Sequence, residues 1–182
     1  MKYVAFPLTI LLLCMYRLAT ADAPLRHFDV YEVPEAGLVV YKPGSPAWTI
    51  DLDERKNNDA VLLSTPIKYF PPTSVEIRLN QKHIVDQEEL QELAIAVTNS
   101  LRRKTGSSLA ENRQLPTVNY GSIKAVRDEF NITFNDREYT IRHTIGLMPS
   151  GHIITMMATT PYGQIDAIEF MLDKIYSNLK EI

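Results

Sequence analysis

The chain has 182 residues, with 19 Lys and Arg against 22 Asp and Glu, a net charge of −3. This balance argues against a nucleic-acid-binding protein, which needs a strongly basic face. The one cysteine, Cys14, excludes an intrachain disulfide. Stability must therefore come from a hydrophobic core, and a domain of this size buries roughly two-thirds of its surface.

The first 21 residues have the pattern of a secretory signal peptide. Lys2 precedes an apolar run over residues 3–16, and Ala19 and Ala21 form a small-x-small cleavage site. The run is too short and too interrupted to span a bilayer comfortably, which favours cleavage; an uncleaved anchor is the alternative. A lipoprotein signal at Cys14 is a further alternative, but Leu13 stands where such signals have a small residue.

Cleavage at this site predicts an exported protein, periplasmic or extracellular if the source is bacterial. Removing residues 1–21 takes away Lys2 and Arg17, so 17 basic residues remain against 22 acidic ones, a net charge of −5. Cys14 leaves as well, so the mature protein has no disulfide. We predict a single domain over residues 22–182 and no stable membrane span after cleavage.

Alternation of apolar and polar residues predicts short strands through the first half of the chain. They are 38–41, 48–52, 60–63, 74–79 and 120–126. Residues 22–36 carry few order signals and are predicted to be a lead-in segment. The polar run 53–59 is interpreted as a solvated loop, because it lacks the glycine that a calcium-binding loop requires.

A long helix is predicted over residues 86–105. Asp86 and Glu89 form a capping box at its start, and Gly106 follows its end. Its buried stripe comprises Leu90, Leu93, Ala94, Val97 and Leu101. This spacing is typical of a helix that covers a sheet.

The stretch from Asp128 to Leu179 contains two predicted hairpins and a closing helix. Asn135 and Asp136 tolerate the positive φ of a two-residue turn, which sets Asp128 opposite His143. The strand 153–160 is apolar on both sides, so the sheet is predicted to be covered on both faces. We predict a helix from Pro161, capped by Thr160. Its apolar stripe is Ile165, Ile168, Leu172, Ile175 and Leu179.

This order of elements resembles the family that joins the photosystem II extrinsic protein PsbP, the Ran-binding import factor Mog and the bacterial DcrB-like proteins. The matching pieces are Tyr41-Lys42-Pro43-Gly44 with Trp48, the helix 86–105, and the run 151–179 with its Ile153-Ile154-Thr155 and Thr159-Thr160-Pro161 segments. The resemblance implies an α+β fold: an α/β/α sandwich with a central antiparallel sheet, one long middle helix and a C-terminal helix. It also implies a non-enzymatic binding or assembly role.

Asp128 and His143 are the sharpest candidates for chemistry. An oriented His could serve a hydrolase as a base, but no motif places a Ser or Cys nucleophile beside it, so we interpret the two as a structural polar pair and assign no catalytic residue. The histidines at 27, 83, 143 and 152 show no metal-ligand spacing, so no metal or cofactor is predicted.

Tyr69, Phe70, Pro71 and Pro72 form a second kind of candidate. Prolines stiffen a loop, and aromatic side chains on a stiff loop suit a protein-docking surface. Folding inward as a plug is the alternative. The sequence therefore favours an exported, non-enzymatic protein that binds a protein partner. A hydrolase using His143, or a small-ligand carrier with a pocket between sheet and helix, are the alternatives.

Overall fold

The computed structural model describes residues 27–44, 47–52, 59–83, 86–109 and 114–182, apart from the side chains at 81 and 82. The predicted signal segment, with its cleavage site at Ala19 and Ala21, and nearly all of the polar loop lie outside the described residues.

The strands within the described ranges form two antiparallel sheets. The small sheet consists of β1 (Phe28–Val33), β2 (Leu38–Pro43) and β10 (Lys180–Glu181). The large sheet consists of β3 (Thr49–Leu52), β4 (Ala60–Ser64), β5 (Ser74–His83), β6 (Thr117–Tyr120), β7 (Ile123–Phe134), β8 (Arg137–Leu147) and β9 (His152–Pro161). Its strand order is β3-β4-β5-β9-β8-β7-β6.

In the part of the chain that the structure describes, two α-helices lie on opposite faces of the large sheet. The long helix α1 (Gln87–Thr105) packs over β7 and β8. The shorter helix α2 (Glu169–Ser177) follows a 3-10 turn, Ile165–Ile168, and contacts β2 and β6 on the other side. A second 3-10 turn, Pro34–Ala36, joins β1 to β2. The predicted α+β fold, with its large antiparallel sheet and two helices, is confirmed.

The predicted β7–β8 hairpin is present with the predicted register. Asn135 and Asp136 have φ values of 51° and 60°, as a two-residue turn of this hand requires. Asp128 pairs with His143 as a consequence. Because side chains alternate along a strand, both of these residues point toward α1.

The core is divided between the two faces of the sheet. Under α1 the buried cluster includes Leu90, Val126, Ile145 and Ile153. Under α2 and the small sheet the cluster is larger and contains Trp48 and Ile154 among its members. Neighbouring residues 153 and 154 thus bury their side chains on opposite faces, which explains why β9 is apolar on both sides.

The predicted caps of α1 are also present. The Oδ1 atom of Asp86 accepts a hydrogen bond from the backbone N–H of Glu89 at 2.9 Å. Gly106 has φ 73° and its N–H bonds to carbonyls of the last helical turn. Both features remove unsatisfied backbone groups from the helix ends.

Two predictions of strand position are wrong. Phe28–Val33 is the strand β1 and not a lead-in; its alternation is weak because an edge strand of a small sheet leaves Val30 and Tyr31 exposed. The predicted strand 120–126 is instead a hairpin that turns at Gly121. A side chain at position 121 would be strained, since φ is +57° and a Cβ would lie 2.7 Å from the carbonyl oxygen of Ser177.

The predicted start of the C-terminal helix is also wrong. Pro161 is the last residue of β9, and helical structure begins at Ile165. A proline has no N–H to continue a ladder, so it ends the strand and does not open the helix. The predicted apolar stripe is nevertheless buried at all five positions. No helix among the described residues is both long and apolar enough to cross a bilayer.

Candidate functional site

A group of buried polar side chains joins α1 to the sheet. It consists of Thr98 and Arg102 on the helix and Asp128 and His143 on the strands, and we call it the polar seam. Nε and Nη2 of Arg102 lie 2.8 and 2.6 Å from Oδ2 of Asp128. The guanidinium carbon lies 4.5 Å from the ring centroid of Phe130. This two-nitrogen contact uses the planar geometry that distinguishes Arg from Lys.

His143 is held by the same helix. Its Nδ1 atom lies 2.9 Å from Oγ1 of Thr98, and only 4% of the residue is exposed. Burial lowers the pKa of His143 to about 4, although the charge of Asp128 acts in the opposite direction. The imidazole is therefore neutral at physiological pH.

Asp128 and His143 lie opposite each other in register, and α1 contacts each of them, Asp128 through Arg102 and His143 through Thr98. Thr98 is the hydroxyl beside His143, and it is 1% exposed beneath the helix. A substrate cannot approach a hydroxyl buried in this way, so Thr98 is not placed to act as a nucleophile. This geometry gives the hydrolase hypothesis no support.

A groove of about 380 Å³ runs beside α1, where the helix leaves part of the large sheet uncovered. Its lining residues are Glu76, Arg78, Val97, Ser100, Leu101, Lys104, His143, Thr155 and Met157. His143 thus belongs both to the polar seam and to the floor of this groove. The volume falls in the range of small-ligand sites.

The loop between β4 and β5 presents the predicted docking residues in two directions. Tyr69 turns inward, with its ring 6.5 Å from that of Trp48 and its hydroxyl 3.6 Å from Sδ of Met171. Pro71 is also buried. In contrast, Phe70 is 72% exposed, and Pro72 faces solvent beside it. The predicted cluster is therefore split between a plug and a surface.

The base of this loop is tied by hydrogen bonds. The N–H of Thr65 donates to the carbonyl of Thr73 at 3.0 Å, and the N–H of Thr73 donates to Oγ1 of Thr65 at 2.9 Å. At the tip of the loop, Ile67 is fully exposed and Phe70 is mostly exposed. We call Ile67 and Phe70 the loop tip. Its two apolar side chains are presented from an anchored base.

The two aromatic residues of the loop are expected to differ sharply in their effect on stability. Tyr69→Ala removes contacts with Trp48 and Met171 and should lower the free energy of unfolding by about 2 kcal/mol. Phe70→Ala removes a mostly exposed ring and should change it by less than about 0.5 kcal/mol. Urea unfolding of the two variants measures the contrast, and equal losses would show that the loop tip is also packed.

A second buried cation, which was not predicted from the sequence, lies on the opposite face of the sheet. Arg142 is 3% exposed and its guanidinium contacts the carboxylates of Glu129, Asp166 and Glu169. Burial alone would raise the pKa of Glu169, but hydrogen bonds from Arg142 and Arg127 hold it below its usual value. The network fixes the start of α2 against β8. A polar residue within an otherwise buried strand was the available signal.

No group of three or more His, Cys, Asp or Glu residues suited to a metal ion occurs within the described parts of the chain. Oδ2 of Asp128 and Oγ1 of Thr98 in the polar seam are held by protein groups, and so is the guanidinium of Arg142. The loop tip and the groove are two features that stay open to a ligand or partner.

No family model and no curated protein matches the sequence. Among solved structures, a protein from Bacteroides thetaiotaomicron is similar over 84% of this chain, with 13% identity and a TM-score of 0.53. This chain spans 48% of that protein's length. At this identity the likeness shows the fold alone.

Two further solved structures are more distant in shape. LpqN, involved in cell envelope biogenesis of Mycobacterium tuberculosis, has 11% identity and a TM-score of 0.47, over 88% of this chain and 86% of its own. PA94 from Pseudomonas aeruginosa, a protein of unknown function, has 15% identity and a TM-score of 0.47, over 86% of this chain and 98% of its own.

Proposed function

We propose that this chain is an exported, non-enzymatic binding or assembly protein of the PsbP/DcrB-like type, acting on a protein partner in the cell envelope or outside the cell. The signal-peptide pattern of residues 1–21 supports export. The order of strands and helices supports the family. The partner docks on the loop tip, Ile67 and Phe70.

The observation that carries this proposal is the presentation of two large apolar side chains from an anchored loop. Ile67 is fully exposed, and 72% of Phe70 is exposed. The Thr65–Thr73 hydrogen bonds and the inward Tyr69 fix the backbone beneath them. Ordering such a loop costs little on binding, because its conformation is already set. Aromatic anchors of this kind dominate the binding energy of many protein interfaces.

Site-specific photo-crosslinking in the source envelope tests the proposal. A crosslinking amino acid at position 70 is expected to give one discrete adduct, and the same amino acid at position 134 is expected to give none. Phe134 is a matched control, because it is also exposed, at 61%, but lies at the tip of the β7–β8 hairpin.

Competition identifies the binding surface. Excess unlabelled protein should abolish the adduct, whereas the Ile67→Ser/Phe70→Ser variant should leave it unchanged. If excess variant protein also abolished the adduct, the docking surface would lie elsewhere on the chain. Adducts of equal strength at both positions would indicate unspecific contact and would contradict the proposal.

A further inference from the structure

The groove beside α1 exposes mostly apolar surface and has one wall from the helix. Met157 lies on the floor between His143 on β8 and Glu76 on β5, its two partners in the sheet register. Val97 and Leu101 line the helical side. Together these side chains form a strip along which an aliphatic chain can lie.

The hydrogen bonds of the polar seam determine which nitrogen of His143 faces this groove with a proton. Oγ1 of Thr98 has one hydrogen-bond partner in the described structure, which is Nδ1 of His143. A buried hydroxyl that donated to nothing would be costly, so Thr98 donates to Nδ1. The neutral imidazole then carries its proton on Nε2. Nε2 has no partner among the described residues, and the ring lines the groove.

On the helical side of the groove, Ser100 and Lys104 add donors to Nε2 of His143. Lys104 has no ion-pair partner within the described ranges, while Arg78 is paired with Asp59 at 2.8 Å. Glu76 stands on the opposite wall, on β5. A negatively charged head is therefore drawn toward the helical side, where Nε2–H of His143, Ser100 and Lys104 are available.

We propose that the groove binds a medium-chain carboxylate, with its head at His143 Nε2 and Lys104 and its alkyl chain along Met157, Leu101 and Val97. The volume of about 380 Å³ accommodates a chain of about ten carbons. This site is separate from the loop tip and does not depend on the proposed protein partner.

Titration calorimetry with decanoate tests the charge of the head. Lys104→Glu should weaken decanoate binding by about fivefold or more, since it replaces an attraction with a repulsion. Arg103→Glu is the matched control, because it makes the same charge change at an exposed neighbour that does not line the groove, and it should leave binding unchanged. Equal weakening by both variants, or decanol binding as tightly as decanoate, would overturn the proposal.

Nitrogen NMR of 15N-His-labelled protein tests the position of the head. In the free protein His143 should be the Nε2-protonated tautomer, and decanoate should shift its Nε2 resonance. An Nδ1-protonated ring, or an unshifted resonance at saturating decanoate, would overturn the assignment. Phe70→Ala should leave decanoate binding intact. Loss of decanoate binding in this variant would mean that the ligand binds the loop tip and not the groove.

Discussion

Replacing Arg102 with Met is expected to lower the free energy of unfolding by about 3–5 kcal/mol. Arg102 is 7% exposed, and its guanidinium contacts Asp128 through two nitrogens. It also donates to the carbonyls of Ser108 and Glu129, at 2.8 and 3.2 Å. The Met side chain fills most of the space but leaves the carboxylate of Asp128 buried without its cation. That uncompensated charge, more than lost packing, sets the size of the effect.

A double variant separates these two causes. Arg102→Met with Asp128→Leu removes both charges, and its loss of stability should be much smaller than the sum of the two single losses. Arg103→Met is the exposed control and should change stability by less than about 0.5 kcal/mol. Chemical denaturation at pH 7 measures all four variants. A loss below about 1 kcal/mol for Arg102→Met would show that the pair does not hold α1 on the sheet.

Lowering the pH from 6.5 toward 4 is expected to remove about 3 kcal/mol of stability through His143 alone. Its pKa is lowered from 6.5 to about 4 in the folded protein, chiefly by burial. Between these values the unfolded chain binds a proton that the folded chain excludes, so stability falls as pH falls. The groups that face His143 are Asp128, Thr98 and Arg102, with Glu76 and Lys104 along the same groove.

Urea unfolding at pH 7 and pH 5 should show about 2 kcal/mol of this loss in the native sequence and little of it in His143→Gln. The glutamine can still accept from Thr98 but does not titrate, and the other histidines and carboxylates are unchanged. Proton NMR of the His143 ring provides a second measurement in the folded protein. A His143 ring that titrates near its ordinary pKa of 6.5 would contradict the prediction. So would equal losses of stability between pH 7 and pH 5 in the native sequence and in His143→Gln.

The local parts of this fold were predictable from the sequence. The turn at Asn135 and Asp136 and the alternation on either side fix the β7–β8 register, because a slip of one residue would send every side chain to the wrong face. The caps of α1 were predictable for the same reason, since Asp86 and Gly106 act within one helical turn of their own positions.

The partners of the polar seam were not predictable. Register places Asp128 beside His143, but which helical residue lies above them depends on how α1 docks across the sheet. Arg102 is one of three consecutive basic residues in the last turn of α1, a pattern that favours a helix C-terminus, yet it is buried, whereas Arg103 and Lys104 are exposed. A local charge pattern does not distinguish these roles.

The loop that contains Tyr69 and Phe70 also shows what a sequence pattern does not predict. Adjacent aromatics ahead of two prolines indicate a stiff loop, but not which ring turns inward. That choice depends on Trp48 and Met171, which are distant in sequence. The exposure of Phe70 therefore follows from the tertiary contacts of its neighbour Tyr69, which the local sequence does not reveal.

The strand order carries a kinetic consequence. From β6 to β9 each strand pairs with the next in the chain across a short turn, whereas β9 returns to pair with β5, with Ser74 beside Thr159. Local hairpins form in microseconds, but joining distant segments requires closing a long loop first. The meander at 117–161 is therefore expected to assemble early. The pairing of β5 with β9 is expected to be the slow, committing step of folding.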